Sequence, residues 1–144
     1  MSGRFFLDTN VFVYSFAAGD TVKARRAGKL IRDAVSTGKG VVSYQVVQEF
    51  FNVALRKFAK PMTPAEAEQY LATVFRPLVA VESSPALFME ALRVTSRYRL
   101  SWCDSLIVAA AIQANCSKLL SEDLQHGLRI GDLRVVNPFA PAKT

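Results

Sequence analysis

Four carboxylates have the residue type and spacing that could support chemistry in this chain: Asp8, Glu49, Asp104 and Asp123. Carboxylates that share one crevice repel one another and are costly to keep ionised, and a bound divalent cation removes that cost. Oxygen ligands without histidine or cysteine suit Mg²⁺, or Mn²⁺ in its place, and do not suit zinc. Such a site activates water and stabilises the charge on a phosphodiester during in-line displacement. The hypothesis therefore needs a fold that brings the four acids together.

The hydrophobic pattern predicts short strands separated by helices. Strands are expected at residues 4–7, 40–43, 78–81, 118–121 and 133–136. Helices are expected at 21–36 with Asp20 as its cap, at 44–58 capped by Ser43, at 63–75, at 84–98, and from 101 to 112. Strands that alternate with helices, without a hairpin signal, predict an α/β fold with a mostly parallel sheet and helices on both faces. No linker or repeat interrupts the pattern, so residues 1–144 are expected to form a single domain.

This arrangement predicts that the acids converge. In a parallel α/β sheet, every strand ends and every crossover helix begins at the same edge. Asp8 ends the first strand and Asp123 follows the fourth, so they flank a crevice if those strands are neighbours at a switch point. Glu49 lies within about two turns of the start of the helix after the second strand. Asp104 lies in the first turn of the helix that is apolar nearly all round.

Each acid also has a purely structural interpretation. Asp8 could cap a turn, and Asp104 could form half of a capping box with Ser101. Glu49 could be a solvated helix residue, although it lies at the margin of the apolar face. Asp123 could be an ordinary loop acid. Four independent coincidences at one edge are less plausible than one shared site.

The overall charge favours a polyanionic partner. The chain carries 18 Lys and Arg against 12 Asp and Glu, a formal net charge of +6. Nucleic acid is the commonest partner of a basic domain of this size. An acidic site on a basic protein suits such a substrate, because the metal bridges the acids to a phosphate while lysines and arginines hold the rest of the polyanion.

Other features exclude several classes. Cys103 and Cys116 lie in or beside one predicted helix and, with His126 as the single histidine, form no zinc pattern. The apolar run at 106–112 is too short to span a bilayer, and the N-terminus has no signal-peptide pattern. A cytoplasmic location without membrane attachment is therefore expected.

Five blocks of sequence, in this order, resemble the PIN-domain family, most closely the VapC-type toxins of bacterial toxin–antitoxin pairs. The blocks are Leu7-Asp8-Thr9-Asn10-Val11 and the segments 43–50, 103–111, 121–124 and 136–139. The resemblance implies a five-stranded parallel sheet of order 3-2-1-4-5 and a Mg²⁺-dependent endoribonuclease. It also implies a homodimer, with a small antitoxin bound at the active-site groove.

Carried over by position, Asp8, Glu49, Asp104 and Asp123 match the acidic quartet of the family. Thr9 and Ser121 match polar positions beside it. The family also contains nucleases of RNA processing and decay, so the toxin assignment is separate from the nuclease assignment. Two further alternatives are a non-catalytic RNA-binding or regulatory module and a metal-dependent phosphatase.

The helices predicted at 63–75 and 84–98 carry more apolar side chains than one domain of this size is expected to bury. A large leftover apolar patch marks an interface, so these helices are expected to form the homodimer contact. The side chains concerned are Tyr70, Leu71, Val74, Phe75, Leu87, Phe88 and Leu92.

Overall fold

The computed structural model describes residues 3–19 and 21–140 of the chain. These residues form six β-strands, seven α-helices and one π-helical segment. The strands are β1 (Phe5–Leu7), β2 (Gly40–Ser43), β3 (Val79–Val81), β4 (Lys118–Leu120), β5 (Arg129–Ile130) and β6 (Leu133–Val136). The helices are α1 (Thr9–Tyr14), α2 (Val22–Thr37), α3 (Tyr44–Ala54), α4 (Pro64–Tyr70), α5 (Arg76–Leu78), α6 (Pro85–Tyr98) and α7 (Trp102–Gln113), with the π-helix Leu71–Phe75 between α4 and α5.

The strands form one sheet in the order β3-β2-β1-β4-β6-β5. β1 lies at its centre and pairs in parallel with β2, where Phe5 is opposite Gly40, and with β4, where Phe5 is opposite Lys118. The mostly parallel sheet is confirmed, and the five predicted strands keep their predicted relative order. The chain runs from β1 outward to β2 and β3 and then returns to β4 on the other side of β1. Because parallel crossovers are right-handed, this reversal of direction is expected to place helices on both faces.

The sequence predicted five strands and no hairpin. The structure has a sixth strand, and it forms a hairpin. β5 pairs antiparallel with β6, Ile130 opposite Leu133, across a turn at Gly131 and Asp132. Gly131 has a φ of +60°, a conformation that glycine adopts at little cost. A Gly-Asp pair is a hairpin signal. However, β5 has only two residues, too few to show the alternation of apolar and polar side chains by which a strand is recognised in sequence.

Helix α1 was not predicted, because its sequence of β-branched and aromatic residues resembles a strand. The Asp8 side chain at its N-cap accepts a hydrogen bond from the Thr9 N–H, which starts the helix directly after β1.

Three predicted helices differ from the structure in an end, a cap or the helix type. α3 ends at Ala54, four residues before the predicted end at 58. The predicted helix 63–75 begins with its capping box, in which Thr63 and Glu66 exchange hydrogen bonds, and its second half is π-helical. α2 is capped by Thr21, whose hydroxyl accepts from the Ala24 N–H, whereas Asp20 lies outside the described residues.

The core forms around β1 and the aromatic side chains that cover it. Phe12, Phe50 and Phe75 are fully buried, with ring centroids 4.9 to 6.4 Å apart. α2 approaches β2 so closely that a Cβ on Gly40 would lie 2.1 Å from the Ala34 Cβ. Glycine at position 40 therefore lets this helix pack against the sheet.

Helix α7 is the apolar helix that the sequence predicted, with Ser105 and all five residues from 107 to 111 buried. It contacts both β2 and β4 and thus covers the centre of the sheet. Within residues 3–19 and 21–140, no helix is both long and apolar enough to cross a membrane.

Candidate active site

The four acids lie at the carboxyl edge of the sheet, as its topology requires. β1 and β4 are neighbours, and the Asp8 N–H donates to the Leu120 carbonyl at 3.0 Å, which extends their pairing to the edge. Asp123 follows β4 by three residues. Glu49 lies in the second turn of α3 and Asp104 in the first turn of α7.

Asp8 is the most buried of the four acids, with 5% of its surface exposed. Its Oδ1 accepts from the Thr9 N–H at 2.7 Å, and its Oδ2 accepts from the Ser121 hydroxyl at 2.8 Å. Burial raises the pKa of Asp8 to about 6, against the lowering effect of the two hydrogen bonds and with a further increase from the charges of Asp123 and Glu49. Burial and neighbouring charge therefore both favour either a proton or a cation on Asp8.

Glu49 is connected to Asp8 through the intervening threonine. The Thr9 hydroxyl donates to Glu49 Oε2 at 3.2 Å, while the Thr9 backbone holds Asp8. On the other side, Gln45 Nε2 donates to Glu49 Oε1 at 2.7 Å and to the Cys103 carbonyl at 3.2 Å. The sequence did not identify Gln45 as part of this network, although its position one helical turn before Glu49 is a usable signal.

Asp123 is held by two residues near Asp8. Its backbone N–H donates to the Ser121 hydroxyl oxygen at 3.2 Å. Asn10 Nδ2 lies 3.1 and 3.2 Å from its two carboxylate oxygens. Desolvation, Asp104 and Glu122 raise the pKa of Asp123, and the Asn10 hydrogen bond lowers it. Sequence reasoning assigned Asn10 no role, although it follows Asp8 and Thr9 directly.

Asp104 lies near this group without joining its hydrogen bonds. Its N–H donates to the Ser101 hydroxyl oxygen at 3.2 Å, which is the first half of the capping-box alternative. Its charge nevertheless raises the pKa of Asp123, so the two carboxylates are close enough to interact. Helix capping therefore accounts for the backbone N–H of Asp104 but not for its carboxylate. The residue is half-buried.

Glu122, next to Asp123 in sequence, has different partners. It accepts from the Tyr14 hydroxyl and forms an ion pair with Lys23 at 2.8 Å. The Lys23 ammonium also lies 4.2 Å from the centre of the Tyr14 ring. The Lys23 and Tyr14 hydrogen bonds hold the pKa of Glu122 below its usual value. Of the two adjacent acids, Asp123 alone therefore turns toward Asn10 and the candidate site.

The donor set fits a hard divalent cation. As placed, the described part of the chain brings no three acidic, histidine or cysteine side chains close enough to ligate one ion together. Mg²⁺ does not require such a shell, because it keeps several waters and is usually bound by one or two carboxylates plus substrate phosphate. The pair that Ser121 joins, Asp8 and Asp123, could supply those carboxylates, with Glu49 and Asp104 beside them.

The fold resembles several solved structures, two of which are described as a toxin or a toxin–antitoxin complex. A toxin–antitoxin complex from Klebsiella pneumoniae aligns with a TM-score of 0.66 at 18% identity over 93% of this chain and 97% of that chain. VapC20 of Mycobacterium tuberculosis, a sarcin-ricin loop cleaving toxin, aligns at 0.60 and 19% identity over 83% and 91%. FitAcB from Neisseria gonorrhoeae aligns at 0.61 and 14% identity over 94% and 98%. At identities this low, the structural similarity establishes a common fold and no more.

Among curated proteins no relative matches this sequence. The family model of the PIN domain, in contrast, matches residues 5–127, a segment that includes all four acids and β1 to β4. This match covers most of the chain and agrees with the sheet order and with the structural neighbours. The chain belongs to the PIN-domain family.

Proposed function

We propose that this protein is a Mg²⁺-dependent endoribonuclease, the toxin of a toxin–antitoxin pair, with Asp8, Glu49, Asp104 and Asp123 as its metal-binding and catalytic acids. The observation that carries the proposal is the shared Ser121 hydroxyl, which joins buried Asp8 to the backbone of Asp123 across the two central strands. A polar pair at a switch point of a parallel sheet is where such folds bind ligands.

When bound, the divalent cation supplies charge stabilisation at the scissile phosphate and lowers the pKa of a water. One of the acids, Asp8 or Asp104, would accept the proton of the attacking water. Thr9 and Gln45 fix the orientation of Glu49, and Asn10 fixes that of Asp123. Thr9 and Ser121 thus support the acids, as the family resemblance implies.

RNA as substrate is supported by the net charge of +6 and by the likeness to VapC20, itself named as a toxin that cleaves the sarcin-ricin loop. An antitoxin partner is supported by the toxin–antitoxin complex from Klebsiella pneumoniae among the structural neighbours. A cytoplasmic location follows from this function. A homodimer is proposed from exposed apolar side chains on α6, of which Met89 is 59% and Leu92 57% exposed.

The test is cleavage of labelled RNA with Mg²⁺ and with EDTA, by the wild type and by Asp8→Asn. Asparagine keeps the size and the helix-capping ability of Asp8 and removes its charge. We expect activity with Mg²⁺ only, and a loss of about 100-fold or more in the variant, because several kcal/mol of charge stabilisation disappear. Thermal melts of both proteins control for folding.

The same assay separates the alternatives. Binding of RNA without cleavage would favour the non-catalytic RNA-binding module. Hydrolysis of a generic phosphomonoester, with RNA left intact, would favour the phosphatase. Full Mg²⁺-dependent cleavage by Asp8→Asn would refute the site assignment. Co-expression with the protein from the neighbouring reading frame distinguishes a toxin from an RNA-processing nuclease, since only a toxin should be neutralised.

A further inference from the structure

A cavity of about 210 Å³ opens beside the acids at the same edge of the sheet. It lies where β2 and β3 end and where α3, α6 and α7 begin. The residues that matter for its chemistry are Ser43, Tyr44, Gln45, Gln48, Phe88 and Trp102. At this volume it falls below the roughly 300 Å³ at which drug-sized ligand pockets begin, so it suits one planar ring.

Three aromatic side chains border this cavity and remain accessible. Tyr44, Phe88 and Trp102 are 45%, 42% and 41% exposed. The Phe88 and Trp102 rings lie 5.9 Å apart, so they pack on each other and still present surface outward. Three large rings around one small opening form a stacking surface for another ring.

The cavity also contains polar groups that the fold does not use. Ser43 is 3% exposed, and its hydroxyl has no hydrogen-bond partner within the described residues. It occupies the N-cap position of α3, yet its side chain makes no capping hydrogen bond, contrary to the capping role predicted from the sequence. A buried, unpartnered hydroxyl is costly. Its oxygen is shielded from solvent, so a ligand in the cavity can pair with it only when the Ser43 side chain turns to another rotamer that exposes the oxygen. Gln48, exposed at the rim, adds an amide that can donate and accept.

Gln45 connects the cavity to the acids. It lines the cavity, and its amide nitrogen donates both to Glu49 and to the Cys103 carbonyl, next to Trp102 and Asp104. A ligand in the cavity is therefore adjacent to a residue that holds one of the four acids. A group that continued from the cavity toward Glu49 would reach the candidate metal site.

We propose that this cavity binds one unstacked nucleobase of a single-stranded RNA whose scissile phosphate lies at the acids. The inference rests on the proposed function and adds a specificity site to it. Single-stranded RNA is recognised by bases that stack on aromatic side chains and hydrogen-bond through their edges. Here Trp102 and Tyr44 supply the rings, Gln48 supplies an exposed hydrogen-bonding group, and Ser43 supplies a second one when its side chain rotates. A purely apolar partner side chain would leave the Ser43 hydroxyl unpaired.

Trp102 is the single tryptophan of the chain, so its fluorescence reports directly on the cavity. The probes are short single-stranded oligomers of uridine, cytidine or adenosine, titrated in EDTA and in Ca²⁺, with ribose 5-phosphate as the baseless control. We expect saturable quenching by at least one oligomer and none by ribose 5-phosphate. Tyr44→Ala should weaken that binding roughly 5- to 150-fold, the cost of losing one base-stacking contact.

The matched control is Leu55→Ala, at the opposite end of α3 and 40% exposed, which should bind like the wild type. Ser43→Ala should change the order of preference among the three bases. In steady-state cleavage, Tyr44→Ala should raise KM more than it lowers kcat, because the stacking contact is present in both ground state and transition state. Thermal melts establish that each variant is folded.

Several results would overturn the proposal. These are the absence of quenching at RNA concentrations that are cleaved, equal quenching by ribose 5-phosphate, and an unchanged affinity in folded Tyr44→Ala. Quenching that rises with protein concentration alone would mean that a second copy of the chain covers the cavity. Saturable quenching without Mg²⁺-dependent cleavage would keep the base site and reject the nuclease, whereas cleavage without quenching would do the reverse.

Discussion

The Ser121 hydroxyl donates to Asp8 Oδ2 at 2.8 Å across the β1–β4 pair, although the two residues are 113 positions apart in sequence. The same hydroxyl oxygen accepts from the Asp123 N–H. One serine at the end of β4 therefore sets the positions of two acids from different segments. It also stabilises the ionised form of Asp8 in a place where burial opposes ionisation.

Ser121→Ala should move the pH dependence of cleavage. The Ser121 hydrogen bond lowers the pKa of Asp8. Without it, the pKa of Asp8 should rise above its value of about 6. At subsaturating Mg²⁺, where the proton and the cation compete for Asp8, the acidic limb of the kcat/KM profile should then move to higher pH by about one unit, from a charged hydrogen bond worth about 1.5 kcal/mol. The control is Ser117→Ala, whose hydroxyl contacts the Arg4 carbonyl before β4 begins. Coincident profiles for the wild type and Ser121→Ala would show that Asp8 does not titrate in the reaction.

Asp8 should also make the metal-free protein less stable as pH rises. Its folded pKa of about 6 exceeds the ordinary value of 3.8, so the native state binds this proton more tightly than the unfolded chain. The resulting stabilisation is fully present below pH 3.8 and is lost as pH rises through about 6. It amounts to about 3 kcal/mol for this buried group.

The measurement compares thermal melts of wild type and Asp8→Asn from pH 4 to 8 in EDTA, where the asparagine cannot ionise. The difference between the two isolates Asp8 from the other titrating groups. Asp8→Asn should gain relative stability as pH increases through about 6. A constant difference would mean that Asp8 has an ordinary pKa.

Asp104→Asn tests whether Asp104 belongs to a metal site or serves only the start of α7. The substitution removes a charge that raises the pKa of Asp123, so the metal-free variant should be more stable than the wild type at neutral pH. Millimolar Mn²⁺ should increase the free energy of unfolding of the wild type, by about 2.7 kcal/mol at 100 times Kd, and so raise its melting temperature; the melting temperature of the variant should rise by less. Equal increases would assign Asp104 to helix capping alone.

The proposed homodimer depends on the apolar surface of α6. Two residues expected there, Phe75 and Leu87, are buried in the core instead. Met89 and Leu92 remain 59% and 57% exposed and form the proposed interface, whereas Phe88 borders the cavity beside the acids and lies outside that interface. Light scattering at micromolar concentration should report a dimer for the wild type and a monomer for Leu92→Glu, because an interface cannot bury an unpaired charge cheaply. Leu55→Glu, with Leu55 on another exposed surface, should remain a dimer. A monomeric wild type would exclude this interface.

The sequence by itself determined which segments form the parallel sheet and which acids stand at its edge. β2 and β6 have their predicted bounds, 40–43 and 133–136, because a short apolar strand beside turn residues is a local signal. The position of Asp8 after β1 and of Asp104 in the first turn of α7 followed from the same signals. The topology then required one common edge, since parallel strands all end on the same side.

Only the tertiary structure decided how each acid is held and which neighbours it has. The roles of Asn10 and Gln45 depend on side-chain directions set by α1 and α3, and α1 itself has a strand-like sequence that packing against α2 and α3 overrides. Glu122 and Asp123 have different partners because Tyr14 and Lys23, about 100 residues earlier in the chain, bind Glu122. Contacts between residues so distant in sequence leave no periodic signal. Hydrophobic periodicity shows which face of a helix or strand is buried, but it does not show which other element packs against that face.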